Sequence, residues 1–337
     1  MPLDTKTCRL AIAGAASLPG RELKQLLEAS RFASSDIRLV DEELAAGTLT
    51  EVAGEPAIIQ GAEGDSFEGV QIAFFTGSPA FAQGCADSAV RAGARVVDLS
   101  GGLAGLSGAK SWIPALDAVL APPGPIDSLQ DRIFLSPSTP AIVACAVSAA
   151  LAPFQAGRLM FVFFQPVSEA GQPGVEELES QTSKLLSFQP IGEEVFDAQV
   201  AFNLLERFGA ASSENLPSVR RRISDEAQMY LHGRTGVPAI QLVHAPVFYS
   251  YAFTAYAEFA APPDAAALGH ALQRAGIQIP GPDDPGVSNL TAAGEDRISM
   301  SSPARDPNIP GGIWLWGAVD NFRLAASNAV RIAEKLV

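Results

Sequence analysis

The sequence predicts an α/β protein of two domains. The first is a doubly wound parallel sheet, and the second is an α+β domain with a mostly antiparallel sheet. Three observations carry this. Over roughly the first 135 residues, short apolar runs alternate with segments of helical spacing. A glycine-bearing turn, Gly14 to Gly20, joins the first apolar run to the first helical one, as in Rossmann-like domains. After about residue 155, runs rich in β-formers follow one another closely.

The elements are read in order. Arg9–Ala13 (RLAIA) is a short apolar strand, GAASLPG is the turn, and Arg21–Ala29 places Leu23, Leu26 and Leu27 at helical spacing. Ile37–Val40 and Val70–Phe75 are the next strands. Phe81–Ala92 is a helix that ends at Gly93, a residue suited to close one. Arg95–Leu99 and Arg132–Leu135 complete the parallel sheet. In the second domain, Leu159–Val167, Ala239–Phe248, Tyr251–Ala260, Arg297–Ser301 and Gly312–Val319 read as strands, with Val175–Leu186 and 264–275 as helices. The closing segment sets Phe322, Ala325, Ala326, Ala329, Val330, Ala333 and Leu336 on one stripe, an amphipathic helix. Residues 121–127 (APPGPID) and 280–286 (PGPDDPG) are Pro/Gly-rich loops.

The composition narrows the function classes. The chain of 337 residues is 47% hydrophobic and 18% charged, a globular balance, and its formal charge is −14. Nucleic acid and anionic membranes need a basic face, so neither is an expected partner. No apolar run approaches the ~20 residues that span a bilayer. The start, MPLDTKTCRLAIAG, is too short in apolar residues for a secretory signal. Cys8, Cys85 and Cys145 form no disulfide framework and no metal pattern, and His232, His244 and His270 lie far apart. These features point to a reduced, soluble, cytoplasmic protein without a metal.

A turn between a first strand and a first helix can hold phosphate on backbone N–H groups at the positive helix end. Gly14 and Gly20 frame this turn, and Ser17 stands where a middle glycine is usual. The second strand ends in Asp41-Glu42-Glu43. An acid there accepts hydrogen bonds from ribose hydroxyls and repels the extra phosphate of NADP. NAD is therefore favoured over NADP, and Ser17 leaves open that no dinucleotide binds. A plain strand-to-helix turn and a solvated acidic loop fit the same residues.

The C-terminal run RDPNIPGGIWLWGAVDNFRLAASNAVRIAEKL, Arg305–Leu336, resembles that of aspartate-semialdehyde dehydrogenases. Other landmarks fit in order: AGAASLPGREL, FEGVQIAFF, AGARVVDLS, SPST, FFQPVSEAG, QVAFN and APVF. The resemblance runs over essentially the whole chain. It implies a Rossmann-like dinucleotide-binding domain over 1–138 and an α+β dimerisation and substrate domain over 139–320. It also implies a last helix, 321–337, that returns to the first domain.

The same resemblance exposes departures. The family forms a thioester from a cysteine thiolate at a helix N-terminus and passes hydride to NADP; here Thr139 holds that position. A threonine hydroxyl is a far weaker acid than a thiol, and Thr139-Pro140 also fits an ordinary helix start, N-cap then N1. Tyr251 holds the place of the family's histidine base and is a poor base at neutral pH. His244 and Ala104 stand where the family has its two recognition arginines. Gln165 matches the family's active-site glutamine, and Glu226 a substrate-contacting glutamate. A hydrogen-bonded strand histidine accounts equally well for His244. Cys145 and Cys85 read as buried small residues.

With nucleophile, base and both arginines replaced, the expected protein is a homodimeric family member unable to catalyse the NADP-dependent reaction. It retains a binding or regulatory role, with a small acidic metabolite as ligand. The alternative is a semialdehyde dehydrogenase-type oxidoreductase of amino-acid biosynthesis with altered chemistry, working through Thr139, Tyr251 and a dinucleotide.

Overall fold

The computed structural model describes residues 8–52, 54–120, 127, 130–261, 263–281 and 283–337. The loop expected at 121–127 lies outside them except for Asp127, as does residue 282 of the loop at 280–286. The chain divides into two compact units, Met1–Asp117, Ala121–Ser138 and Ala325–Val337 in one, Ala118–Leu120 and Thr139–Leu324 in the other.

The first unit contains β1 (Arg9–Ala13), α1 (Leu18–Glu28), β2 (Asp36–Asp41), β3 (Leu49–Val52), β4 (Glu55–Ile58), β5 (Gln60–Gly61), β6 (Ile72–Phe75), α2 (Pro79–Arg91), β7 (Arg95–Asp98), β8 (Lys110–Ser111) and β9 (Ile133–Leu135). Its main sheet runs β5-β2-β1-β6-β7-β9-β8, and every pairing in it is parallel. Such sheets are covered on both faces, which is why β6 (IAFF) is apolar and buried at each position. The strand order reverses between β1 and β6, the place where doubly wound sheets open a ligand crevice.

α1 starts three residues earlier than its leucine spacing suggests. The Ser17 side chain caps it by accepting from the Gly20 N–H, and Pro19 fits its first turn. Ser78 and Pro79 start α2 in the same way. The β3–β4 hairpin, with mostly exposed residues, has no apolar alternation that would have marked it in the sequence. The last helix belongs to this unit from Ala325 onward: Ala326, Ala329, Val330, Ala333 and Leu336 are buried with Leu10, Ile12 and Phe74. Asn328 Nδ2 anchors it by donating to the Trp112 carbonyl and to Ser136 Oγ, each at 3.0 Å.

The second unit contains α3 (Thr139–Leu151), β10 (Arg158–Gln165), α4 (Gly171–Leu186), α5 (Leu216–Leu231), β11 (Ala239–His244), β12 (Tyr251–Glu258), α6 (Ala265–Arg274), β13 (Ile277–Gln278), α7 (Asn289–Ala292), β14 (Ile298–Met300), β15 (Ala304–Arg305) and β16 (Gly312–Val319), and the chain leads on into α8 (Arg323–Leu336). The sheet runs β11-β10-β12-β16-β14-β13, with β15 also on β16. Its central pairings are antiparallel, but β10–β11 and β13–β14 are parallel, so the sheet is mixed. The helices α4 and α5 between β10 and β11 make that crossover; α5, an element beyond those expected from the sequence, starts at the Asn215 cap and buries Leu216, Ile223, Ala227 and Tyr230.

The two sheet faces differ. Phe161, Phe163 and Phe253 are buried on one, with ring centroids 5.4–6.2 Å apart. The other carries Met160, Val162, Phe164, Thr254, Trp314 and Trp316, aligned by the register Val162–Thr254–Trp316. Met160 and Trp314 are each 45% exposed and Trp316 is 41% exposed in the single chain.

Candidate functional site

Thr139 is the first residue of α3, a helix buried along its whole length. It is thus one position further into the helix than the cap expected of it, with Pro140 next. Its hydroxyl donates to the main-chain oxygen of Asn321 at 2.7 Å. That proton is committed, and no base accepts it. Gln165 ends β10 and Tyr251 begins β12, both buried, and the Tyr251 hydroxyl donates to Gln165 Oε1 at 3.4 Å.

The structure adds three residues that the sequence reading did not single out. Asn321 Nδ2 donates to Glu169 Oε1 at 2.9 Å and to Ser168 Oγ at 3.1 Å, while its Oδ1 accepts from the Ser250 N–H at 3.0 Å. Glu169 is partly buried, and its carboxyl also bonds the Tyr251 hydroxyl. Arg222, on α5, places its positive charge near both groups. Glu169 lies inside the landmark FFQPVSEAG, so its acidic side chain four residues after Gln165 was the available signal. Nothing in the polar surface of α5 singled out Arg222.

Electrostatics fixes what these groups can do. Burial pushes the Tyr251 phenol well above its ordinary range near 10, and the Glu169 charge pushes it the same way. Tyr251 therefore stays protonated and donates. Burial raises the Glu169 carboxyl, against the opposing pull of Asn321 and Arg222. Ser250 just before Tyr251 is fully buried with φ at 69°, a left-handed conformation that costs a non-glycine residue free energy.

Glu226, on α5, is partly buried, and its charge acts on Tyr251 and on Cys145. Cys145 is buried within α3, and desolvation drives its thiol up, away from thiolate character. Among the described residues no His, Cys, Asp and Glu group is arranged to hold a metal ion.

His244 is the register partner of Gln165 but has different side-chain surroundings. It is fully buried against the Phe196 and Phe208 rings, with Nε2 3.4 Å from the Val200 carbonyl. Burial lowers its pKa from 6.5 to about 4. It is a neutral core residue at pH 7 and supplies no cation. Between those two values the unfolded chain takes up a proton that the folded chain refuses. Stability is thus complete above pH ~6.5 and falls on acidification toward pH 4, by about 3 kcal/mol. A His244→Phe variant should lose that part of the acid sensitivity, which urea titrations at pH 7 and pH 4.5 will show.

The dinucleotide candidates of the first unit do come together. Gly14, with φ at 96°, packs so closely on the segment after β6 that a Cβ there would lie 2.1 Å from the Gly77 nitrogen. Asp41 is buried and its carboxylate accepts from the Ala16 N–H at 2.7 Å and the Glu42 N–H at 2.8 Å. Ser17 Oγ donates to the Gly14 and Thr76 carbonyls and accepts from the Gly20 N–H at 3.0 Å. Pro19 has no N–H. Several donors that could face a pyrophosphate are thus taken or missing. Near β7, Asp98 accepts from Ser100 and from the Leu103 N–H, and Ala104 offers no guanidinium.

Comparison with known proteins agrees with this architecture. Residues 9–111 match the family description "Semialdehyde dehydrogenase, NAD binding domain", and residues 150–323 match "Semialdehyde dehydrogenase, dimerisation domain". A USG-1 protein homolog of Pseudomonas aeruginosa is 31% identical over 97% of both chains. Aspartate-semialdehyde dehydrogenase 2 of Vibrio cholerae is 27% identical over 97% of both. The crystal structure of aspartate semialdehyde dehydrogenase II from Vibrio cholerae superposes with a TM-score of 0.82 at 25% identity, covering 97% of this chain and 98% of that one. With both domain descriptions matched in order and a relative above 30% identity along nearly its full length, the chain belongs to the semialdehyde dehydrogenase family.

Proposed function

We propose that this family member does not carry out the phosphorylating oxidation of a semialdehyde and acts instead as a homodimeric binding or regulatory protein for a small acidic metabolite. One observation carries the reading: the Thr139 hydroxyl, at the nucleophile's position, donates to the Asn321 main-chain carbonyl, which is not a base. Activation of a hydroxyl needs a neighbouring proton acceptor. Tyr251, in the base's position, is held protonated. Mass spectrometry of the intact protein after incubation with aspartate semialdehyde and NADP tests this. Unmodified protein is expected, and an acyl adduct on Thr139 would overturn it.

A second reading has an observation of its own. Glu169 is a carboxyl group with a raised pKa beside a phenol, an arrangement suited to acid–base work. It would make the chain an oxidoreductase with altered chemistry. Substrate-dependent reduction of NAD or NADP, abolished in Glu169→Gln, would select this reading over the first.

For the cofactor, we infer that a bound dinucleotide is NAD rather than NADP, because Asp41, Glu42 and Glu43 put negative charge where the extra phosphate would lie. Calorimetry should show NAD at least ~10-fold tighter than NADP, and the reverse order would refute this. The combined variant Ser17→Gly, Pro19→Ala frees one N–H and adds another. It should tighten NAD by about 10-fold, the value of one hydrogen bond to a charged group.

A further inference from the structure

We propose that Glu169 is an internal ligand: its carboxyl group occupies a carboxylate-binding subsite made by Asn321, Tyr251 and Arg222. An ionised carboxylate only accepts hydrogen bonds, and selective recognition of one takes converging donors together with a cation. All of these converge here. Asn321 Nδ2 donates from 2.9 Å, and the Tyr251 hydroxyl and the Arg222 charge act on the same carboxyl, all three opposing the burial that raises it. The donors are themselves fixed. Asn321 is buried and held through Ser250 N–H and Ser168, and Tyr251 is buried against the Phe163 ring at 6.2 Å.

The neighbourhood also holds donors that Glu169 leaves unused. Arg222 Nε and Ser250 Oγ are buried without a hydrogen-bond partner among the described residues. Buried polar atoms in native proteins find partners, in protein, water or ligand. A carboxylate filling the space more fully than one tethered side chain could take up that capacity. Glu169 is partly buried as a residue, and its carboxyl is desolvated. The ligand class is a small carboxylic acid that displaces Glu169 or replaces it. The inference rests on the binding role proposed above and names where the acid binds, but it holds whether or not Thr139 reacts.

Glu169→Ala removes CH2–COO−, the heavy atoms of one acetate ion. The test is the melting temperature of wild type, Glu169→Ala and Glu169→Gln in increasing sodium acetate, against sodium chloride at equal ionic strength. A ligand that binds only the native state raises the melting temperature saturably. A rise of about 4 °C is expected for Glu169→Ala alone. Glu169→Gln keeps the volume filled and should not respond. An equal acetate response in wild type would overturn the proposal, because the donors would then be free. So would a Glu169→Ala variant that melts identically in both salts. If Glu169→Ala does not fold in chloride, its refolding yield in the two salts is read instead; no recovery in acetate refutes the subsite.

Discussion

Neither the wild-type chain nor Thr139→Cys is expected to oxidise aspartate semialdehyde measurably with phosphate and NADP. Removing the nucleophile of a covalent mechanism costs on the order of 10⁶ in turnover. Restoring a thiol at the first turn of α3 returns the helix dipole's support for a thiolate, but only that. Tyr251 would not accept the proton, because its phenol is held protonated and donates to Gln165. The negative charge of Glu169 near Tyr251 further opposes a second anion. His244, neutral and buried, and Ala104 supply no guanidinium to hold phosphate or carboxylate. The assay is reduced-nicotinamide formation by protein made in a host lacking its own semialdehyde dehydrogenase. Robust turnover by the wild type would defeat the proposed function. Turnover by Thr139→Cys alone would show that the other replacements do not matter.

Val162→Asp is expected to split a homodimer into monomers. Val162 sits at the middle of the outer sheet face, between Met160 and Phe164 and in register with Thr254 and Trp316. An antiparallel sheet facing water alternates apolar with polar residues, whereas this face presents Met160, Phe164, Trp314 and Trp316. The 264–275 segment does not cover it; α6 packs against α3 and β13. The family description matched over 150–323 is a dimerisation domain, which makes a second copy the natural cover. In a two-fold interface each substitution occurs twice. An uncompensated buried charge costs about 3–5 kcal/mol each time, so dissociation should rise at least ~10⁴-fold. Light scattering should give the wild type twice its 35.1 kDa chain mass and the variant the single mass. A monomeric wild type would rule out the stable homodimer.

The parallel sheet was legible because its strands are buried on both faces and so read as unbroken apolar runs such as IAFF before the turn after β6. The closing helix was legible from its 3.6-residue stripe, whose members are the ones buried with Leu10 and Ile12. α1 starts earlier than its leucine spacing indicates, because Ser17, set within the glycine turn, is its cap. α5 carries an apolar stripe of Leu216, Ile223, Ala227 and Tyr230 behind the Asn215 cap, so the signal for a helix is present in the sequence although charged residues crowd the rest of its surface.

Residue type alone determined that Thr139 offers no thiol, Tyr251 no imidazole, and Ala104 and His244 no guanidinium. Spacing along the chain also determined the two-domain order and the family resemblance. Tertiary structure alone decided which side chains gather around Tyr251. Glu169 and Arg222 lie 53 positions apart and Asn321 a further 99 along the chain. They become one network only when the end of β10, α5 and the segment after β16 are folded together. Hydrogen bonds and charge interactions act over a few ångströms in space, and neither local propensity nor periodicity encodes which distant side chains will come within that range.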